Sequence, residues 1–284
     1  MKLDVQEYCN LALLPAPGAD YAALPPRLLA AERALSTNSK EGAFTHNKQL
    51  LSFLVRNFSP DSPPWKLPES VSRLYAVELR RLEYENNTQP PDYFSFQNDP
   101  FRKDIAILLH RLVPFGAEFA NPYSGLPRSL AVRRGPAQLV RFLQAVLASR
   151  GIRPFLELHM HPHVVEHFHP AGWIECYEHL ADFLDLNPQF RGVQSTSWFL
   201  DPALASVSPR LAYLREIPVQ CGAYILFAGT DKEGRSGALA TSPTRRRLHA
   251  AGDYQPRIFT RIWPRSRILQ RQWRQLQPTC DGMN

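Results

Sequence analysis

The chain has 284 residues, of which 44% are hydrophobic and 21% are charged, a balance typical of a globular protein and not of a disordered one. It contains no run of about 18 apolar residues, and its first residues lack the basic-then-apolar layout of a signal peptide. We therefore expect a cytoplasmic protein with no membrane partner.

The net charge of +7 comes largely from arginine and is concentrated towards the end of the chain. Arg245, Arg246 and Arg247 form one run, and further arginines follow between positions 257 and 274. A field of this sign attracts nucleic acid, an anionic cofactor or a phosphate-bearing substrate. The alternative is a solvated basic face that binds nothing.

Residues 1–133 are predicted to form helices joined by proline-rich loops, because apolar residues recur there at three- and four-residue spacing. The predicted helices are Arg27–Leu35, Lys48–Phe58, Glu69–Glu83 and Phe101–Val113. Residues 86–91, Asn-Asn-Thr-Gln-Pro-Pro, are predicted to be an exposed loop, since the two prolines cannot continue a helix.

A further helix is predicted after Gly135-Pro136, a pair typical of a helix start. This helix is predicted to be strongly amphipathic, because its apolar residues share one face. Those residues are Leu139, Phe142, Leu143, Val146 and Leu147.

The segment Phe155–His163 alternates apolar and polar residues, which predicts a β-strand with two different faces. Leu156, Leu158 and Met160 form the apolar row, which we expect to be buried. The polar row consists of Glu157, His159, His161 and His163. Pro162 donates no ladder hydrogen bond, so the strand is expected either to lie at an edge or to end there.

Beyond this strand, strand-like and helix-like segments alternate along the chain. The predicted elements are a helix at Trp173–Leu184, a strand at Val193–Leu200, helix caps at Asp201-Pro202 and Ser208-Pro209, a strand at Ala223–Ala228, a helix from the Ser242 cap to Ala251, a strand at Arg257–Trp263 and a basic helix at Arg267–Leu276. The fold class this predicts is α/β (α+β). We expect a helical N-terminal region, residues 1–133, packed on a C-terminal mixed-sheet domain, residues 134–284, with the polar row lining the cleft between them.

The polar row allows several kinds of site. Two imidazoles at alternate strand positions, His159 and His161, together with the nearby Glu166 could hold iron, manganese or zinc. Without a metal, the same side chains could form the polar wall of an active site. A hydrogen-bonded or solvated histidine cluster with no chemical role is the third interpretation.

The C-terminal half also resembles the closing part of the GNAT N-acyltransferase fold. The resemblance rests on Tyr213-Leu-Arg, the strand at 223–227, the helix that Ser242-Pro243 opens, Leu248-His249, Gly252-Asp253-Tyr254 and the strand at 257–263. The family's glycine-rich pyrophosphate signature is not among these matches, and Asp201-Pro202-Ala203-Leu204 occupies its place.

What the resemblance implies is an acyl group moved from a coenzyme A thioester to an amine of a small molecule or peptide. His249 would stand where the family has the tyrosine that protonates the leaving thiolate, so it would be the general acid. Glu157 or a histidine of the polar row, His159, His161 or His163, would be the general base, and Arg245, Arg246 and Arg247 would bind the cofactor's phosphates. A metal-dependent enzyme, either an iron oxygenase or a zinc hydrolase, and a nucleic-acid-associated protein remain alternatives.

Overall fold

The computed structural model describes residues 4–16, 18–61, 63–234 and 236–276, and it divides the chain into two compact units. The first unit comprises Met1–Ser124 and His159–Val165, and the second comprises Gly125–Leu158 and Glu166–Asn284. Helices and a mixture of parallel and antiparallel strands are both present, which confirms the predicted α/β class.

The first unit is mainly helical and ends in a short antiparallel strand pair. Its elements are α1 (Val5–Ala12), α2 (Pro26–Asn38), α3 (Lys40–Arg56), α4 (Glu69–Thr88), α5 (Asp99–Leu108), β1 (Val113–Pro114) and β2 (Phe119–Ser124). Each helix predicted in this region is present with shifted ends. The loop predicted at 86–91 is partly wrong, because α4 continues through Thr88 and only the two prolines stop it.

A leucine- and phenylalanine-rich core holds the helices of the first unit together. Leu50 and Leu54 of α3 pack with Leu82 of α4 and with Phe101 and Ile105 of α5, all of them buried. The three- and four-residue spacing of these side chains puts them on the inner face of each helix, so the periodicity that predicted the helices is also the cause of their packing.

In the second unit, helices alternate with strands as predicted. Its elements are α6 (Pro136–Ser149), β3 (Phe155–His159), α7 (Pro170–Leu186), β4 (Gly192–Ser197), α8 (Leu204–Val207), α9 (Tyr213–Gln220), β5 (Tyr224–Thr230), α10 (Pro243–Ala250), β6 (Arg257–Pro264) and α11 (Arg265–Ile268). The Ser242 cap of α10 is confirmed, because the Ser242 side chain accepts a hydrogen bond from the amide of Arg245.

The strands of the second unit follow the order β3-β4-β6-β5. β3 and β4 are parallel, with α7 as the crossover that a parallel pair requires, while β6 is antiparallel to both β4 and β5. β3 is buried on both faces at its start, where Phe155 and Leu156 are each fully buried. Phe155 packs with Phe142 and Ala145 of α6, which cover one side of the sheet.

Two further predictions for this half were wrong. Met160 is 39% exposed, because β3 ends at His159 and the alternation of faces ends with it; Pro162 then begins a short 3₁₀ helix, Pro162–His167. The predicted basic helix at 267–276 is divided into α11 and a 3₁₀ turn, Gln272–Leu276, and Arg271 between them has a positive φ of 49°.

Among the described residues, no helix combines the length and the apolar character needed to cross a bilayer.

Glu178 of α7 holds the C-terminal 3₁₀ turn in place. Its carboxylate accepts hydrogen bonds from Trp273 Nε1 at 2.6 Å and Arg274 Nε at 2.8 Å, and it also pairs with Arg271. Burial acts to raise the pKa of Glu178, but the hydrogen bonds from Arg274, Trp273 and Arg271 outweigh it and hold the pKa at about 2. The folded state therefore favours the ionised carboxylate.

Replacing Glu178 by glutamine is expected to lower the free energy of unfolding at neutral pH and to lower it much less in strong acid. A depressed folded pKa stabilises the protein above the ordinary carboxyl value of 4.5, and that stabilisation disappears as the pH falls towards 2. Urea denaturation across this range measures the difference between wild type and variant. The exposed Glu175 of the same helix, replaced by glutamine, is the control. A difference between wild type and Glu178→Gln that stays constant with pH contradicts the linkage.

Candidate functional site

The histidines after β3 come together where the strand gives way to the 3₁₀ helix. His161 and His163 flank Pro162, and their Nδ1 atoms lie 2.5 Å apart. The ring centroids are separated by 4.3 Å, and Phe119 of β2 contacts both rings. His161 is buried, and the side chain of His163 is 19% exposed. The two polar-row residues therefore meet through a turn and not along one strand face.

Carboxylates from α4 and α5 hold the outer nitrogen of each ring. Nε2 of His163 lies 2.9 Å from Glu78 Oε1, and Nε2 of His161 lies 3.4 Å from Asp104 Oδ1. Arg81 bridges the two carboxylates, at 2.9 Å from Glu78 and 2.6 Å from Asp104. We refer to these five residues as the histidine cluster. All of them belong to the first unit.

The acidic members are buried because of their helix positions. Val71, Tyr75, Glu78 and Leu82 recur every three or four residues and form the buried face of α4, so Glu78 points inward with its apolar neighbours. The side chain of Asp104 is fully buried in the same way on α5. A carboxylate at such a position requires cationic or hydrogen-bonding partners, and the cluster supplies them.

The hydrogen bonds also join the two rings to each other. A carboxylate only accepts, so Nε2 of His161 and Nε2 of His163 both carry protons. Between the two Nδ1 atoms one must donate and the other accept. A continuous chain of polar contacts therefore runs from Glu78 through His163 and His161 to Asp104.

These contacts lower the pKa values of the two carboxyl groups. Burial acts to raise the pKa of Glu78, but the hydrogen bond to His163 and the charge of Arg81 outweigh it and lower the pKa below its ordinary value. Asp104 behaves alike, with burial opposed by the His161 hydrogen bond and the charge of Arg81. Both carboxylates therefore stay ionised near neutral pH.

The other members of the polar row lie elsewhere. His159 ends β3 and stacks near Tyr21, with ring centroids 4.4 Å apart. Burial first, and the charge of Lys103 second, lower the pKa of His159 to about 4, so its ring is neutral at pH 7. Glu157 is half-buried within β3, in register with Gln194 of β4.

No group of three or more His, Cys, Asp or Glu residues in the described part of the chain could hold a metal ion. The predicted set His159, His161 and Glu166 is therefore not such a group. Glu166 itself is 80% exposed in its side chain and lies 3.8 Å from His167.

A second candidate site lies in the second unit. A cavity of about 440 Å³ is lined by four arginines: Arg134, Arg141, Arg215 and Arg257. Gln144, Tyr224, Ile225 and Phe259 are among the other side chains of its wall. We call this cavity the arginine pocket. A smaller cavity of about 260 Å³ adjoins it and shares Arg134, Arg141, Ile225 and Phe259.

The arginine pocket has an excess of positive charge. Arg257 is paired with the buried Asp201, with Nη2 2.8 Å from Oδ1, so its charge is largely balanced. Among the described residues no carboxylate pairs with Arg134, Arg141 or Arg215, and Nε of Arg215 is buried without a hydrogen-bond partner. Three guanidinium groups are therefore available to an anion.

The arginines of the run 245–247, which would bind phosphates in the acyltransferase scheme, have other contacts. Arg245 is buried, donates from Nη1 to Ser208 Oγ at 2.9 Å and stacks over Trp198 at 4.5 Å. Arg246 is exposed and donates to the Leu239 and Ala240 carbonyls. Arg247 is exposed, and none of the three lines the arginine pocket.

His249 lies in the last turn of α10, where its Nδ1 is 3.0 Å from the carbonyl oxygen of Tyr254. A carbonyl only accepts, so Nδ1 carries the proton, and in the neutral ring Nε2 is then an acceptor. His249 can give a proton to a thiolate from Nε2 only when the ring is doubly protonated.

Two of the pocket arginines, which sequence reasoning missed, do carry a signal in the sequence. Residues 119–156 contain six arginines and no aspartate or glutamate. Arg134 lies just before α6 and Arg141 within it, so both belong to this arginine-rich stretch. Arg215 and Arg257 come from distant elements and carry no such local signal.

Comparison with protein families, with curated proteins and with solved structures found no match for this chain.

Proposed function

We propose that the second unit binds a phosphate-bearing small molecule in the arginine pocket, and that this molecule is the coenzyme A thioester of an acyl transfer to an amine. The observation that carries the proposal is the set of three guanidinium groups without carboxylate partners around one cavity. Guanidinium groups bind phosphate oxygens through paired, charge-assisted hydrogen bonds, which makes arginine the usual residue for this purpose.

The volume and the lining residues of the cavity suit a ligand that carries phosphate groups and an aromatic ring. About 440 Å³ is within the range of small-molecule sites. Tyr224 and Phe259 add aromatic surface, and Arg134 already lies over the ring of Phe227 at 5.3 Å. Aromatic and guanidinium planes of this kind accept a planar base by stacking.

Acyl transfer is favoured over other uses of a phosphorylated ligand by the resemblance to the GNAT fold. The strand, helix and returning strand on which it rests are present as β5, α10 and β6. In such a reaction the acyl carbon leaves sulfur and bonds to nitrogen, the nitrogen loses a proton and the sulfur gains one. His249 would supply that proton in its doubly protonated form.

The test is binding of acetyl-coenzyme A, measured by isothermal titration calorimetry, to wild type and to two double variants. Arg134→Gln/Arg141→Gln removes two pocket charges and is expected to weaken binding at least about tenfold. Arg246→Gln/Arg247→Gln removes the same charge from exposed positions outside the pocket and is expected to bind as wild type does.

The controls separate the parts of the proposal. Loss of binding in both double variants, or only in Arg246→Gln/Arg247→Gln, contradicts the pocket assignment. Equal affinity for acetyl-coenzyme A, pyrophosphate and ATP retains a phosphate site and removes the acyl-transfer assignment. Steeply salt-dependent binding to single-stranded DNA in place of acetyl-coenzyme A favours the nucleic-acid alternative.

A further inference from the structure

Helix α6 exposes its most apolar side chains. Leu139, Val140, Leu143 and Leu147 are 41%, 53%, 49% and 77% exposed, although leucine is among the residues most often buried. The buried residues of the same helix are Gln138, Phe142, Ala145 and Ser149. Two members of the buried set are polar and one is small, so α6 faces the sheet with its less apolar side.

The four exposed residues form one continuous patch. Residues four apart lie almost above one another on a helix, which places Leu139, Leu143 and Leu147 in a single stripe, with Val140 beside it. We call these four residues the leucine face. Val132, 77% exposed, lies four residues before the helix begins and adds a further apolar side chain.

The orientation of α6 is held by specific bonds. Gln138 uses both ends of its amide on β5: Oε1 accepts from the Phe227 amide at 3.0 Å, and Nε2 donates to the Phe227 carbonyl at 2.9 Å. Phe142 and Ala145 fill the core beneath the helix. Turning the helix to bury its leucines would break these bonds and expose Phe142. The contacts of Gln138 and Phe142 therefore keep the leucine face exposed.

Positive charge flanks the leucine face at the two ends of α6, where Arg133 and Arg134 precede the helix and Arg150 is its C-cap. The stretch 119–156 contains no acidic residue and six arginines, and all six are exposed: Arg128, Arg133, Arg134, Arg141, Arg150 and Arg153. A partner that complements this surface is apolar opposite the leucines and anionic opposite the two ends of the helix. A second copy presents the same arginines and would be repelled, while nucleic acid offers phosphates but no place for leucine side chains.

We infer that the leucine face of α6 binds the surface of an anionic lipid bilayer. The leucines would enter the boundary between headgroups and acyl chains, and Arg128, Arg133 and Arg150, which lie near the two ends of α6 and outside the arginine pocket, would meet the lipid phosphates, as in other interfacial helices. A helix of 14 residues is too short to span the hydrocarbon core, so it would lie in the plane of the surface. This mode of binding needs no spanning helix, and none is found among the described residues.

The test is co-sedimentation of the full chain with vesicles of phosphatidylcholine alone and with vesicles containing about 30% phosphatidylserine. Wild type is expected to bind the anionic vesicles and not the neutral ones, and about 0.5 M salt is expected to weaken the binding. Leu143→Gln/Leu147→Gln is expected to reduce binding to anionic vesicles at least about tenfold while keeping the wild-type melting temperature, because both side chains are exposed.

Leu13→Gln/Leu14→Gln is the matched control, since these leucines are also exposed, at 59% and 38%, but lie outside the arginine-rich stretch. It is expected to bind anionic vesicles as wild type does. Failure of wild type to bind, equal binding to both vesicle types, or unchanged binding by Leu143→Gln/Leu147→Gln overturns the inference. Self-association of wild type in sedimentation equilibrium that Leu143→Gln/Leu147→Gln abolishes assigns the face to a second copy and also overturns it.

Discussion

Replacing Arg81 by methionine is expected to destabilise the protein by about 3–5 kcal/mol, the cost typical of removing one side of a buried ion pair. Arg81 lies 2.6 Å from Asp104, whose side chain is fully buried, and 2.9 Å from Glu78, whose side chain is 8% exposed. Methionine keeps the apolar stem but leaves both carboxylates without their shared cation.

The matched control is Arg73→Met on the same helix. Arg73 pairs with Glu69 at 2.8 Å, but the two side chains are 74% and 83% exposed. Such a surface pair contributes about 0–1 kcal/mol, so its loss is expected to have little effect. Urea denaturation at pH 7 measures both variants. Similar losses for Arg73→Met and Arg81→Met would show that the histidine cluster is not a buried, charge-balanced network.

The alternation of strands and helices in the second half was predictable because it depends on local signals. The period-two pattern at Phe155–His163, of which Phe155–His159 is the strand, the Ser242 cap and the apolar segment at Ala223–Ala228 each act within a few residues. They predicted β3, α10 and β5. The strand β2 was missed because Phe119–Ser124 includes Asn121 and Pro122 and shows no regular alternation.

The carboxylates that contact His161 and His163 could not be predicted from local sequence patterns. His161 and His163 were identified in the sequence, but Asp104 and Glu78 are 57 and 85 residues away from them in the chain. Only the packing of the first unit brings them together. His159 and His161 were predicted to share a strand face, and the end of β3 at His159 separates their surroundings.

The direction in which a helix faces is harder to predict than the helix itself. The amphipathic pattern of α6 predicted a helix, and Pro136–Ser149 is one. Its orientation, however, depends on the bonds between Gln138 and Phe227, 89 residues apart in the chain. Long-range bonds of this kind determine which side of the helix is buried, even when another side is more apolar. The most apolar side of α6 is therefore exposed, and it is the surface for which we infer a function.

The second large effect is expected for Leu156→Ala, which should lower the free energy of unfolding by about 2–5 kcal/mol. Leu156 is fully buried in β3, in register with Val193 of the parallel strand β4. Truncation there leaves a cavity between two strands that are held by their ladder and cannot collapse around it. The same substitution at Leu147, 77% exposed on α6, is expected to change stability by less than about 0.5 kcal/mol.

Urea denaturation measures the free energy of unfolding of both variants. The substitution is the same at each position, and the sequence does not distinguish the buried leucine from the exposed one. A small loss for Leu156→Ala would mean that β3 is not a central buried strand. A large loss for Leu147→Ala would mean that the leucine face is packed against the protein itself, and no surface would then remain for a bilayer to bind. A large effect at Leu156 with little effect at Leu147 requires both the buried parallel strand and the outward leucine face, which is why the two variants belong in one experiment.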